Sequence, residues 1–178
     1  SAVLAACLSG TALAGPKEGG RANVVIQPEP PGIMTGIVQN APAQMVGGNI
    51  FESLLRFDTD LKPKPQLATS WEISADGLTY TFKLHEGVKW HDGQPFTSAD
   101  VVFSADKFLR ETNPRTRASL AHVESITAPD DLTVVFKLKE TFGPFIRMFE
   151  AGTLPIVPKH IYEGTDFKTN PANNAPIG

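Results

Sequence analysis

Alternation of apolar and polar residues marks two stretches of the chain as strands. In Leu78–Leu84 (LTYTFKL), Leu78, Tyr80, Phe82 and Leu84 face one way and Thr79, Thr81 and Lys83 the other. Leu132–Leu138 (LTVVFKL) places Leu132, Val134, Phe136 and Leu138 on one face. Each strand has a predicted hairpin partner. Thr69–Ser74 precedes the first across Ala75-Asp76-Gly77, a turn of the Asp-Gly type, and Val123–Thr127 precedes the second across Pro129-Asp130-Asp131. Between the hairpins the period becomes helical: Val101, Val102, Ala105, Phe108 and Leu109 form a buried stripe. Thr97 is its N-cap, with Asp100 three residues on as in a capping box, and the helix ends near Asn113-Pro114.

Weaker patterns fill the rest. Asn23–Gln27 (NVVIQ) reads as a short strand. Met45, Ile50, Phe51, Leu54 and Leu55 make a second helical stripe within Gln44–Arg56; Gly47 and Gly48 weaken its first turn, which points to a start near Asn49. Phe57–Asp60 is a turn and Leu61–Gln66, with Pro63 and Pro65, is extended. Val88–Trp90 is a short strand between turns at Glu86-Gly87 and Asp92-Gly93. Pro144–Glu150 is a short helix, Gly152–Pro158 an apolar connector and Lys159–Tyr162 a helical turn. The order of elements is that of a mixed α/β or α+β fold built with antiparallel hairpins. Pro28 to Ala43 has no regular period and carries Pro28, Pro30, Pro31 and Pro42; its Ile33, Met34, Ile37 and Val38 predict a packed, partly helical loop. Long loops inside compact domains are often functional, which makes this one a candidate site.

Composition narrows the class. The chain has 178 residues and a net charge of −3, with no basic block, so binding driven by nucleic-acid phosphates is not expected. One cysteine excludes an internal disulfide framework. Residues 1–14, SAVLAACLSGTALA, are small and apolar and close on the A-x-A pattern Ala12-Leu13-Ala14, which is the end of an export signal. Leu4-Ala5-Ala6-Cys7 also fits a lipoprotein box, with Cys7 as the lipid-bearing residue; cleavage after Ala14 is preferred because the tail after Cys7 is apolar for a tether. Asn170 to Pro176 reads as a connector with no helix or strand to tie it down.

Candidate chemistry is sparse. His91-Asp92-Gly93 beside Trp90 suggests a dyad, and an exported hydrolase or metalloenzyme using His91 and Asp92 is one alternative, yet Asp92-Gly93 fits a turn and no nucleophile or oxyanion site accompanies it. His85, His91, His122 and His160 are scattered, without metal-ligand spacing. No phosphate-cradling or nucleophile-elbow motif occurs, and no cofactor is implied. Met45, Phe51 and Phe108 read as core positions on helical stripes. The residues themselves thus describe an exported mixed α/β binding or interaction protein; an exported module that binds a protein partner through its hairpins is the second alternative.

Three segments in Asn49–Phe108 carry a resemblance: Leu67-Ala68 with Ser70-Trp71-Glu72; the hairpin Gly77-Leu78-Thr79-Tyr80-Thr81-Phe82; and Gly87-Val88-Lys89-Trp90-His91-Asp92-Gly93 followed by Phe96-Thr97-Ser98-Ala99-Asp100-Val101-Val102-Phe103. In this order and spacing they resemble family 5 of the bacterial extracellular solute-binding proteins, the peptide- and nickel-type binding proteins of ABC importers. The likeness extends more loosely from Asn23 to Gly178.

The resemblance implies a type II periplasmic-binding-protein-like fold, of which this chain holds an incomplete lobe I with its extra subdomain. Residues 15–58 would begin lobe I and 59–178 would form the subdomain packed on it, before lobe II. It implies a periplasmic monomer that captures oligopeptides or a similar small solute by hinge closure and delivers it to ABC permease subunits in the membrane, without catalysis. The cleft-facing residues it implies are Pro28, Glu29, Pro30 and Gly32 in the loop, Met45 before the first helix, and Gly152 and Thr153 in the connector.

Overall fold

The computed structural model describes residues 19–21 and 23–178, so residues 1–14, expected to be an export signal, lie outside the described residues together with Cys7. A four-stranded antiparallel sheet forms the centre. Its strands are β3 (Ala68–Ile73), β4 (Thr79–Leu84), β5 (Val123–Asp130) and β6 (Thr133–Leu138), in the order β3-β4-β6-β5. The two predicted hairpins are its two halves, joined where β4 runs beside β6 with Tyr80 opposite Phe136 and Phe82 opposite Val134. Alternation decides the buried face: Tyr80, Phe82, Leu84, Val134, Phe136 and Leu138 are buried, while Lys83 and Lys137 are in solvent. A 3-10 turn, Gly143–Met148, lies over that face. Phe145 packs edge-on to Tyr80 with ring centres 4.9 Å apart, and Phe149 lies 4.4 Å from Phe82 and 4.9 Å from Phe136. Such pairs add about 0.5–1.5 kcal/mol each beyond their buried area.

A smaller antiparallel pair, β1 (Leu55–Phe57) with β2 (Pro63–Pro65), stands beside this core. Asp58 Oδ1 closes its turn by accepting from the Asp60 and Lys62 amides. The backbone just before β1 is held from both sides. Leu67 N donates to Ser53 O (3.1 Å) and Ala68 N to Leu54 O (3.0 Å). From the other side, Ile156 N donates to Glu52 O (2.9 Å) and Leu55 N to Phe149 O (2.9 Å). Buried Ser53 adds a hydroxyl bond to Leu154 O at 2.7 Å.

The predicted central helix begins after Thr97 as expected: α2 (Ser98–Phe103), a π-helical turn (Ser104–Phe108) and α3 (Leu109–Thr112). Asp100 is buried at its start and uses both oxygens, accepting from Thr97 N through Oδ2 and from Lys159 N through Oδ1, each at 2.9 Å. The second bond fixes α5 (Lys159–Tyr162) to the helix start. Ser104 Oγ is shared in the same region: it donates to Asp100 O (2.7 Å) and accepts from Val157 N (2.9 Å).

Several sequence expectations are corrected. Asn23–Gln27 is not a strand: Val24 and Val25 are exposed, and no described strand lies beside it to satisfy its backbone. The first helix, α1, spans Ala41–Gly47 instead of starting near Asn49. Asn40 is the N-cap, accepting from Ala43 N at 2.8 Å, and Asn49 closes the other end by donating its side-chain amide to Met45 O at 2.7 Å. Phe51, Leu54 and Leu55 are buried from irregular backbone and β1, and Met45 is exposed, outside the core stripe expected for it. Val88–Trp90 makes only a single bridge, Lys89 to Pro95. A helix that periodicity does not reveal, α4 (Pro114–Leu120), follows Asn113, whose side chain accepts from Thr116 N at 2.9 Å. The segment after Asn170 is tied down: Asn170 Nδ2 donates to Ile161 O, and the Tyr162 hydroxyl donates to Asn173 Oδ1.

Candidate functional site

The candidate site residues fall in different places. Met45 stands on the exposed side of α1. Gly152 lies against Gln44 of the same helix: a methyl at Gly152 would lie 3.9 Å from Gln44 Cδ and 3.7 Å from Glu150 Oε1. Thr153 is held at both ends. Its hydroxyl donates to Glu150 Oε1 at 3.0 Å, and its carbonyl accepts from Thr116 Oγ1 on α4 at 2.6 Å. Folding therefore packs α1, through Gln44, against a connector more than a hundred positions away, and α4, through Thr116, against the same connector.

The loop residues do not all join them. Gly32 opens on a separate cavity of about 250 Å³, shared with Met34 and the segment Lys168–Asn170. Pro28 and Glu29 are exposed and Pro30 is half-buried. Among the described residues Glu29 is in no ion pair.

Residues that sequence reasoning did not single out complete the Thr153 side. A groove of about 340 Å³ runs between α4 and the 3-10 turn, lined by Phe57, Arg115, Phe142, Arg147, Glu150 and Thr153 among others. Arg115 and Arg147 are 32 positions apart, so no local motif announces them. A second cavity, about 310 Å³, is lined by Glu52, Gln66, Trp90, His91 and Phe96. Trp90 is buried and its indole N–H finds no acceptor among the described residues.

His91 and Asp92 do not pair with each other. His91 Nδ1 accepts from Gly178 N (3.2 Å), while Asp92 Oδ2 lies 2.7 Å from His160 Nε2. The histidine scatter of the sequence is thus partly undone by folding, which brings His160 to the Asp92 turn. The His160 hydrogen bond, helped by the Gln94 amide, holds the Asp92 carboxyl below the usual carboxylate range. Both side chains remain solvent-accessible, and this surface hydrogen bond fastens the Trp90–Gln94 turn to α5. Among the described residues, no three His, Cys, Asp or Glu side chains gather where they could share a metal.

A family model described as bacterial extracellular solute-binding proteins, family 5, middle, matches residues 62–178. Protein XP55 of Streptomyces lividans is 41% identical over 130 residues, covering 72% of this chain and 23% of that protein. The glutathione-binding protein GsiB of Pectobacterium atrosepticum is 42% identical over 106 residues, covering 59% of this chain and 21% of that one. Among solved structures, the oligopeptide-binding protein AppA of Bacillus subtilis, in complex with a nonapeptide, superposes with a TM-score of 0.76 at 28% identity. That match covers 84% of this chain and 31% of AppA. The chain therefore spans about a fifth to a third of the length of these proteins.

Proposed function

The chain belongs to the bacterial extracellular solute-binding proteins, family 5, and from that membership we propose that it is part of the substrate-binding component of an ABC importer. The captured solute is an oligopeptide or a similar small molecule, and the site of capture is the periplasm. Residues 15–58 begin lobe I, and residues 59–178 form the subdomain packed on it. Met45, Gly152 and Thr153 line the edge that faces the solute, with Pro28, Glu29, Pro30 and Gly32 in the loop that leads to it.

The observation that carries this reading is the joint surface of α1 and the Gly152-Thr153 connector. The connector is fixed by the Thr116–Thr153 bond, and α1 beside it presents Met45 to solvent. An open surface encloses little of a ligand, whereas good pockets cover most of it. A second lobe closing over the solute supplies the remaining contacts. The free energy of closure comes from the solute's higher affinity for the closed form. The closed form then engages the membrane permease, and the chain itself carries out no reaction.

Calorimetry tests the scheme. The full-length parent gives a binding isotherm with an oligopeptide, and the 178-residue chain gives none at the same concentrations. Thr153→Ala and Met45→Ala in the parent weaken binding while leaving its unfolding transition in place. An isotherm of parental affinity from the 178-residue chain alone overturns the two-sided cleft.

A further inference from the structure

We propose that the cavity walled by Trp90 is a seat for the chain's own continuation: in the full-length parent, the residues that follow Gly178 enter it, cover its apolar floor and accept the Trp90 indole N–H through a backbone carbonyl. The chain makes up 23% of XP55, 21% of GsiB and 31% of AppA, so most of the length of such a protein lies outside it. The inference needs a parent of that kind and does not depend on which solute is captured.

An unmet donor is the first argument. Trp90 is 7% exposed, and its Nε1 has no acceptor among the described residues. A buried N–H left unpaired is costly, and folded proteins nearly always give such a group a partner. Phe96 stands edge-on to the indole with ring centres 6.0 Å apart, which holds it in place. The cavity that Trp90 lines, about 310 Å³, has a floor of buried Phe51, Phe96 and Ile156 and a rim of exposed Asn49, Glu52 and His91. A peptide segment matches that layout. It brings an apolar side chain for the floor, carbonyl oxygens for the indole, and backbone that the polar rim can meet.

The path of the backbone is the second. Ile177 packs against the core, and Gly178 lines this same cavity. Gly178 N donates to His91 Nδ1 (3.2 Å), and its carbonyl accepts from His91 N (3.0 Å). A Cβ at Gly178 would collide with the Ile50 carbonyl oxygen, so only a glycine passes between Ile50 and His91. His91 follows Trp90 in the sequence, so the backbone is delivered to the mouth of the cavity beside the indole. An extended segment advances about 3.3 Å per residue, and the first ~5 residues after Gly178 suffice to cross it. A segment tethered at the mouth acts at an effective concentration on the order of millimolar or above, which a dilute solute does not match. The walls come from both stretches distinguished above, Phe51 and Glu52 from 15–58 and Gln66, Trp90 and Ile156 from 59–178. A segment seated between them fastens one stretch to the other.

The test is photo-crosslinking in the full-length parent. Lys89 lines the cavity and is exposed, so Lys89→p-benzoylphenylalanine places a reactive ketone at the rim without disturbing the core. After irradiation, mass spectrometry finds the crosslink within the first few residues after Gly178. A crosslink to a second copy of the protein, to residues 1–18, or to no residue after Gly178 overturns the seat. So does a crosslink that an added oligopeptide abolishes, because the cavity then belongs to the solute. NMR of the parent labelled with 15N-tryptophan reads the hydrogen bond. The Trp90 indole signal, identified by its loss in Trp90→Phe, persists in D2O after exposed indoles have exchanged. Gly178→Ala, which forces the backbone away from Ile50, moves that signal and weakens the Lys89 crosslink severalfold. An indole that exchanges as fast as an exposed one, or that ignores Gly178→Ala, overturns the assigned bond. If the crosslink forms in a parent that binds no solute, the capture reading fails and the seat stands. If the parent binds an oligopeptide and the crosslink is missing, the seat fails and the capture reading stands.

Discussion

Replacing Asp100 by Asn removes a charge while keeping the shape, and the structure sets the size of the effect. Asp100 is 5% exposed and accepts two backbone amides, Thr97 N and Lys159 N, one on each oxygen at 2.9 Å. Asparagine retains one oxygen. Its amide NH2 group must face the other backbone N–H, donor against donor, so that N–H loses its acceptor. A hydrogen bond to a charged group is worth roughly 1.5–3 kcal/mol, and a half-buried N–H without a partner adds to the cost, so Asp100→Asn should destabilise the chain by about 2–4 kcal/mol. For a chain of this size that corresponds to a fall in Tm of roughly 5–15 °C. Urea unfolding, followed by the fluorescence of Trp71 and Trp90, measures it, with the slope m unchanged if only stability has shifted. Asp106→Asn is the comparison. Its pairs with Arg110 and Lys107 are solvent-accessible, and its cost should stay below about 0.5 kcal/mol. Equal effects of the two substitutions, or an Asp100→Asn protein within about 0.5 kcal/mol of the parent sequence, refute the claim that this carboxylate joins α2 to α5.

Other expectations follow from single contacts. Gly47→Ala drives a methyl into Thr35 Cγ2 and to 2.9 Å from Ile33 O, so despite alanine's better helix propensity it should cost about 1–3 kcal/mol in chemical denaturation. Gly152→Ala meets only ordinary contacts at 3.7 Å and beyond, and should change stability by less than about 0.5 kcal/mol. Burial raises the phenol pKa of both tyrosines, Tyr80 and Tyr162, so an ultraviolet titration of the folded chain should show their ionisation displaced above the ordinary value of 10.0. Unfolded tyrosine loses its proton there while the folded one keeps it, so stability should fall as pH rises above that value. The Asp92 carboxyl, followed by NMR, should titrate below the ordinary 3.8 and move back toward it in His160→Ala. Its lowered pKa stabilises the fold above the unfolded value, and that contribution disappears as pH falls through the folded one.

The sheet was legible because its evidence is local. Tyr80, Phe82 and Leu84 alternate with Thr79, Thr81 and Lys83, and Asp76-Gly77 closes the hairpin with Gly77 at φ 71°. Asp100 was equally readable, since the Thr97 cap fixes its role within one turn. The first helix was misplaced because asparagine caps either end. Asn40 binds the first-turn amide and Asn49 the last-turn carbonyl, and only the fold distinguishes them. The α4 helix stayed hidden because it is seven residues long and buries only Thr116 and Leu120, too few positions to set a period. Met45, Gly152 and Thr153 were named as candidates through the family resemblance alone. Arg115, Arg147 and the Asp92–His160 pair were not reached, because their neighbours come from distant parts of the chain. Proximity across 32 or 68 positions is a product of packing, and no spacing rule encodes it.

Because the four residues Glu52 to Leu55 are laced to β3 on one flank and to the Phe149–Ile156 stretch on the other, α1 and the Gly152-Thr153 connector share a single root. The short helix upstream and the connector downstream cannot drift apart without tearing that lacing. Any swing imposed on this piece must pass through it as a rotation of the whole, like the stiff jaw of a pair of tongs. Local adjustment then falls to exposed side chains such as Met45, while the backbone beneath keeps one shape.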